Sequence, residues 1–351
     1  MSPRVRNVAL GTVGLAVVVV TFAVVLPRIA NYGEVWDALQ ELDPIWLAAF
    51  SVAIVINVVT FAPPWMLALP GLGLRRALLF TQASTALTYI APGGGLVGMA
   101  GSYGLLRTWG FGPGEVARAV TLTGVWNQLS NLLLPVVAVL LLSIEEQRDA
   151  VLTTAAVVGG MVFAVVTGLL VLVFWSDGLA RGIGEGVQRG VGRLLRSLGR
   201  GPVRGWSGRL VTFRHETVSL VRRHWAALTI ASIGGNLAVF AILLVSVRAL
   251  EIGSSQLTWA EVFAGWALAR ALQLIPLTPG GVGPVEIGLT GILVGFGGPN
   301  ARVVAAVLVY RAFTILPTLL AGAATIAAWR WLGPGRVEGG DAEPAPKRPG
   351  G

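Results

Sequence analysis

Long apolar runs separated by short polar stretches dominate this chain of 351 residues. A helix needs about 20 consecutive apolar residues to cross the hydrocarbon core of a bilayer. Six runs reach that length: 8–26, 45–69, 116–142, 151–175, 225–247 and 302–332. The pattern therefore predicts an all-α integral membrane protein with six spanning helices.

Two further apolar runs, 77–109 and 259–298, are interrupted near their middles by proline and glycine. The first interruption is Pro92-Gly93-Gly94-Gly95, and the second extends from Pro276 to Gly281. Proline removes a helical hydrogen-bond donor, and glycine frees the backbone. The arms that remain have about 15 residues, or roughly 22 Å of helix. Each run is therefore either one broken span or a re-entrant hairpin of two half-helices.

The distribution of basic residues decides between these alternatives. Ten of the 26 lysines and arginines lie between Arg181 and Arg223, and basic loops stay in the cytoplasm. This block falls inside only if the first broken run enters and returns, and the second run then forms a hairpin from the opposite face. We expect a bacterial inner-membrane protein with a cytoplasmic basic loop at 176–224 and both termini in the cytoplasm. The Gly- and Pro-rich tail, 333–351, is expected to be disordered.

The transmembrane domain, 1–332, also contains an internal repeat. Its units cover about 45–142 and 224–332, each with a span, a broken hairpin and a span. Several short motifs recur in the same order: Trp46-x-Ala48 as Trp225-x-Ala227, Asn57-x-x-x-Phe61-Ala62 as Asn236-x-x-x-Phe240-Ala241, and Leu134-Pro135 as Leu316-Pro317. The predicted topology inverts one unit relative to the other. Inverted repeats with broken helices are typical of transporters.

The amino-acid composition limits the kinds of chemistry that can be expected of this chain. Hydrophobic residues make up 54% of the chain and charged residues only 12%, against about 25% charged in soluble domains. The chain has no cysteine and two histidines, His215 and His224, so the usual metal ligands are nearly absent. We expect no metal, no cofactor and no catalytic residue. The net charge is +9, and the concentration of basic residues in one block indicates contact with a membrane face and not with nucleic acid.

The two proline-glycine breaks are the first candidates for substrate binding. Backbone freed there must line a cavity or pack against protein, and the following half-helix directs N–H groups toward it, where a phosphate would fit. The candidates are Pro92, Gly93, Gly94 and Gly95 in the first hairpin, and Pro279, Gly280, Gly281 and Gly283 in the second. Gly98, Gly101 and Gly104, spaced by three, are assigned to helix packing instead.

Charged residues within apolar segments form the second set of candidates, because they need partners in a membrane. Arg270 and Glu286 flank the second break, which predicts an ion pair between them, with Arg311 as the alternative partner. Such a pair has two possible roles: it stabilises the hairpin as a salt bridge, or it forms a site that binds a lipid headgroup or exchanges a proton. Asn127 and Asn131 share a helix face in the first unit. They either form hydrogen bonds between helices or contact a ligand.

The run from Ile275 to Glu286, containing Pro279-Gly280-Gly281-x-Gly283-x-x-Glu286, and the later Tyr310-Arg311 resemble the membrane region of lysylphosphatidylglycerol synthases. The resemblance extends over about 8–332, and the glycine-rich first hairpin is similar to that of actinobacterial members. It implies a flippase-like fold, with the motif residues, including Tyr310 and Arg311, at the site. In fused members it also implies translocation of aminoacylated phosphatidylglycerol between leaflets.

These observations lead to an expected function in lipid handling. We expect a flippase or scramblase-like protein for an anionic phospholipid or a polyprenyl-phosphate-linked lipid. Two alternatives stay open: an accessory subunit that supplies membrane lipid to a separate glycosyltransferase or aminoacyl-transferase, and an ion-coupled transporter of small solutes that uses Glu286. The fused synthases carry a soluble aminoacyl-transferase domain that these 351 residues do not include, so enzymatic lysyl transfer is not expected.

Overall fold

The computed structural model describes residues 40, 42–90, 94–145, 150–175, 206–271 and 283–328. Regular structure in these ranges is helical throughout, which confirms the predicted all-α class for this part of the chain. The helices are α1 (Pro44–Thr60), α2 (Ala62–Ala68), α3 (Leu74–Ile90), α4 (Gly94–Thr108), α5 (Pro113–Glu145), α6 (Ala150–Trp175), α7 (Trp206–Ala249), α8 (Trp259–Ala271), α9 (Pro284–Gly295) and α10 (Asn300–Ala328).

Four segments are long and apolar enough to cross a membrane: Pro44–Ala68, Pro113–Ser143, His215–Ala249 and Asn300–Thr325. They coincide with four of the six predicted spans. The predicted span 151–175 lies in α6, whose described apolar stretch is the shorter Val157–Leu169, and 8–26 lies outside the described residues. Large apolar side chains such as Ile230 and Leu320 are more than 70% exposed, as lipid-facing positions would be.

Helix α7 begins earlier than predicted. Residues 206–224 were assigned to the basic loop, but the helix starts at Trp206 and continues for 44 residues to Ala249. Two features hold its first part in place: Leu220 and Val221 pack against a buried cluster of α2–α5, and Glu216 pairs with Arg118 of α5. Arginines place a segment at the membrane surface, but they are good helix formers and do not end a helix. The part of the loop before Trp206 lies outside the described residues.

Each broken run contains two shorter helices that pack against one another. In the first pair the hydroxyls of Ser84 on α3 and Ser102 on α4 share a hydrogen bond of 2.6 Å. In the second pair a Cβ added to Gly265 of α8 would lie 2.8 Å from Leu293 Cδ2 of α9. The connecting tips, 91–93 and 272–282, lie outside the described residues, and re-entry into the membrane stays a prediction.

The packing between the two predicted repeat units is reciprocal. Helix α3 packs against α10 of the second unit, and α8 packs against α5 of the first. Helices α1 and α7, which open the units, also pack together. The turns that lead into α3 and α8 each contain a residue with positive φ, Gly71 at +88° and Glu251 at +57°. Reciprocal packing of this kind is expected of two units related by a two-fold axis. The boundaries of the units stay a prediction.

The glycines assigned to packing divide into two groups. A Cβ at Gly98 would lie 2.1 Å from Thr88 Oγ1, and one at Gly101 would lie 2.4 Å from Leu87 Cδ1. Both glycines therefore allow α4 to approach α3, and their assignment is confirmed. Gly104 has no atom within 4 Å of an added Cβ. Its assignment to packing was wrong, because spacing by three drifts around a helix with 3.6 residues per turn.

We expect Gly322→Ala to lower the melting temperature of the detergent-solubilised protein. The added Cβ would lie 2.4 Å from Ala86 Cβ and 2.9 Å from the backbone oxygen of Gln82. Neither atom can move without the α3 backbone, and overpacking of this kind costs about 1–3 kcal/mol. Gly104→Ala, also in a helix but facing open space, is the matched control. Equal melting temperatures for the two variants would contradict the close approach of α3 and α10.

Candidate functional site

Polar and charged side chains converge where α3 and α8 end beside α10. Tyr89 and Arg270 are the next-to-last residues of α3 and α8. Both lie within electrostatic reach of Tyr310 and Arg311 on α10. We call this group the arginine cluster and include the direct contacts of its two arginines: Tyr89, Asn131, Trp266, Arg270, Glu286, Tyr310 and Arg311. The equivalent ends of two half-length helices thus meet at one site.

Glu286 and Arg311 form a buried ion pair within the cluster. Each residue is only 5% exposed, and Arg311 Nε donates a hydrogen bond to Glu286 Oε1. Glu286 Oε2 accepts the backbone N–H of Gly283 at 2.7 Å. The predicted Arg270–Glu286 pair is therefore wrong, and the alternative partner, Arg311, is the one bound. Glu286 is the third residue of α9, so its side chain turns back to the helix start and meets α10.

The contacts of Glu286 argue against the phosphate site predicted at the start of α9. Gly283 occupies the N-cap with φ +99°, and Pro284 opens the helix, where its missing donor costs nothing. The Glu286 carboxylate already interacts with this positive helix end. A phosphate placed beside it would be repelled. The remaining candidates of this tip, Pro279, Gly280 and Gly281, lie outside the described residues.

Arg270 has surroundings of a different kind. Its Nη2 donates to Asn131 Oδ1 of α5 at 3.1 Å, and its guanidinium lies 5.0 Å from the centre of the Trp266 ring. Its Nε is buried without a hydrogen-bond partner. Among the described residues no carboxylate pairs with it. The side chain is positioned by an amide and an aromatic ring, and both leave its positive charge uncompensated.

Two further hydrogen bonds hold the groups that position Arg270. Asn131 Nδ2 donates to Gln128 Oε1 at 3.2 Å, which directs the amide oxygen toward Arg270. Trp266 Nε1 donates to the Tyr310 hydroxyl at 3.2 Å, which fixes the ring beneath the guanidinium. The site around Arg270 is thus held from α5, α8 and α10 together.

The structure brings together only part of the residue set taken from the sequence. Arg270, Glu286, Tyr310 and Arg311 belong to the cluster, whereas Asn127 is exposed and Asn131, one turn later, contacts Arg270. In the first tip Gly94 and Gly95 begin α4, and Pro92 and Gly93 lie outside the described residues. Met99, which follows Pro92 by seven residues as Glu286 follows Pro279, carries no charge and is 49% exposed.

Trp266 was missed by the sequence analysis, although its position offered a signal. It precedes Arg270 by four residues, so the two side chains share one face of α8. A tryptophan on the face of an intramembrane arginine is a cation–π partner. No group of three acidic, histidine or cysteine side chains that could hold a metal ion occurs in the part of the chain that the structure describes.

The long apolar helices and the two pairs of half-length helices define a multi-pass membrane protein. The chain matches the family model of the lysylphosphatidylglycerol synthase TM region over residues 11–322. Since this match covers most of the chain, the protein belongs to that family, as the motifs around Glu286 and Arg311 indicated. A comparison with curated proteins found no match.

Proposed function

We propose that the protein binds an anionic membrane lipid by its phosphate at Arg270 and translocates it between leaflets as a flippase or scramblase-like transporter. The observation that carries the proposal is a guanidinium held in the arginine cluster without a carboxylate partner among the described residues. Guanidinium groups bind phosphate by paired hydrogen bonds. The family name supports a phospholipid, and a polyprenyl-phosphate-linked lipid offers the same chemistry.

Two observations favour this function over ion-coupled transport of a small solute. Both carboxylate oxygens of Glu286 are engaged, one by Arg311 and one by the N–H of Gly283. Protonating Glu286 would break its buried ion pair with Arg311, which is costly. Arg270, in contrast, needs an anion. A substrate that brings its own phosphate would supply it.

Leaflet-resolved transport by the purified protein in liposomes tests the proposal. A headgroup-labelled phosphatidylglycerol is placed in both leaflets, and a membrane-impermeant reductant then destroys the label in the outer leaflet. We expect label loss to extend to the inner-leaflet pool only when protein is present, and to be weaker with labelled phosphatidylcholine. Binding of phosphatidylglycerol without transport would favour the accessory-subunit alternative, and absence of both would reject the proposal.

The proposed topology places both re-entrant hairpins, from opposite faces, in a bacterial inner membrane. We expect cysteines introduced as Gly190→Cys and Gly340→Cys to resist an impermeant thiol reagent in intact cells, and Asp37→Cys to react. The physical reason is that basic segments remain cytoplasmic. The native chain has no cysteine, so each signal reports one site. Labelling of Gly190→Cys from outside would contradict the two-hairpin arrangement.

A further inference from the structure

A groove separate from the arginine cluster lies between α5, α6 and α7. It encloses about 580 Å³, within the range of roughly 300–1,000 Å³ that is typical of ligand sites. Most of its lining is apolar, from Leu129 and Leu133 on α5, Phe163 on α6, and Val221 and Ile233 on α7. No residue of the arginine cluster lines it. The groove therefore needs an explanation of its own.

The basic residues near one end of the groove and the length of its apolar part indicate which kind of ligand it binds. Arg222 lines one end, and the exposed Arg223 follows it outside the lining. Trp225, 59% exposed, also lines this end, and tryptophan concentrates at membrane interfaces. From Arg222 to Ile233 the helix rises roughly 16 Å, close to one leaflet, or half of the ~30 Å hydrocarbon core.

We propose that this groove holds one acyl chain of an anionic phospholipid, with the lipid phosphate at Arg222 and the chain extending along α7 to Ile233. Trp126 Nε1 donates to Thr229 Oγ1 at 3.0 Å, and Thr229 Oγ1 donates to Trp225 O at 2.8 Å. The Trp126 indole and the Thr229 hydroxyl in the wall are therefore satisfied, whereas Thr167 Oγ1, also in the lining, is buried without a hydrogen-bond partner. Such a lipid would stay bound whether or not the arginine cluster translocates another.

Photo-cross-linking tests the site. The purified full chain is mixed with phosphatidylglycerol that carries a diazirine on one acyl chain, illuminated, and mapped by mass spectrometry. We expect adducts concentrated on groove residues such as Leu129, Phe163 and Ile233. Leu129→Trp should fill the groove and reduce these adducts severalfold. Leu140→Trp, on the same helix but half-exposed outside the lining, should leave them unchanged.

A second pair of variants tests the headgroup contact. Arg222→Gln should reduce labelling by phosphatidylglycerol severalfold while labelling by phosphatidylcholine stays constant, and Arg223→Gln should change neither. Adducts spread evenly over all lipid-facing helices would overturn the site. Cross-links that place residues 8–26 or a second copy of the chain in the groove would overturn it as well. Melting temperatures of the four variants confirm that each one folds.

Discussion

Glu286→Gln is expected to lower the melting temperature of the detergent-solubilised protein by breaking a buried ion pair. Glu286 and Arg311 are each 5% exposed, and the carboxylate joins the guanidinium to the N–H of Gly283. The amide would remove the negative charge from the buried ion pair with Arg311. Removing one partner of a buried pair typically costs about 3–5 kcal/mol. Thermal unfolding in detergent, monitored by light scattering, measures the loss.

Two control variants separate the contribution of the Glu286–Arg311 ion pair from other effects of the substitution on stability. Arg302 and Glu251 form a pair on the surface, with side chains 50% and 80% exposed, and such pairs contribute little. Glu251→Gln should therefore leave the melting temperature almost unchanged. The double variant Glu286→Gln/Arg311→Met removes both charges of the buried pair and should recover most of the loss. A Glu286→Gln variant as stable as Glu251→Gln would show that the pair does not hold α9 to α10.

The positions of the helices could be predicted because the signals are local. Apolar length predicted helices long enough to cross a membrane at 45–69 and 302–332, and Pro44–Ala68 and Asn300–Thr325 are such segments. The proline-glycine interruptions fall on residues 91–93 and 272–282, outside the described ranges. The start of α7 could not be predicted in this way. The part of α7 just before the predicted span is held by tertiary contacts of Glu216 and Val221, which no local pattern records.

The members of the site could be predicted better than their contacts. Arg270, Glu286 and Arg311 stand out in the sequence because intramembrane charges are rare. Which carboxylate meets which guanidinium depends on how α8, α9 and α10 are oriented about their axes. Asn127 and Asn131 share a face of α5, so what brings Asn131 to Arg270 is its position about one turn, roughly 6 Å, further along the helix axis. Rotation about a helix axis is set by packing and not by spacing along the chain.

Arg270→Gln is expected to weaken binding of phosphatidylglycerol at the arginine cluster while the protein stays folded and the groove between α5, α6 and α7 keeps its own lipid. The substitution removes a charge that no carboxylate among the described residues compensates and a buried Nε that has no partner, so its loss should cost little stability. A hydrogen bond to a charged group contributes about 1.5–3 kcal/mol. Affinity for phosphatidylglycerol should therefore fall by roughly ten- to a hundredfold. Native mass spectrometry with titrated lipid measures the affinity, and thermal unfolding measures the stability.

Arg270→Lys and Arg302→Gln complete this experiment. Lysine keeps the charge but lacks the planar pair of donors that fits phosphate, so Arg270→Lys should bind phosphatidylglycerol with intermediate affinity. Arg302→Gln removes an equal charge from an exposed position and should change neither affinity nor stability. If Arg270→Gln unfolds at lower temperature and keeps full affinity, Arg270 serves only to join α8 to α5 through Asn131. Lipid phosphate would then have to bind elsewhere, because Glu286 already occupies the start of α9 and neutralises Arg311.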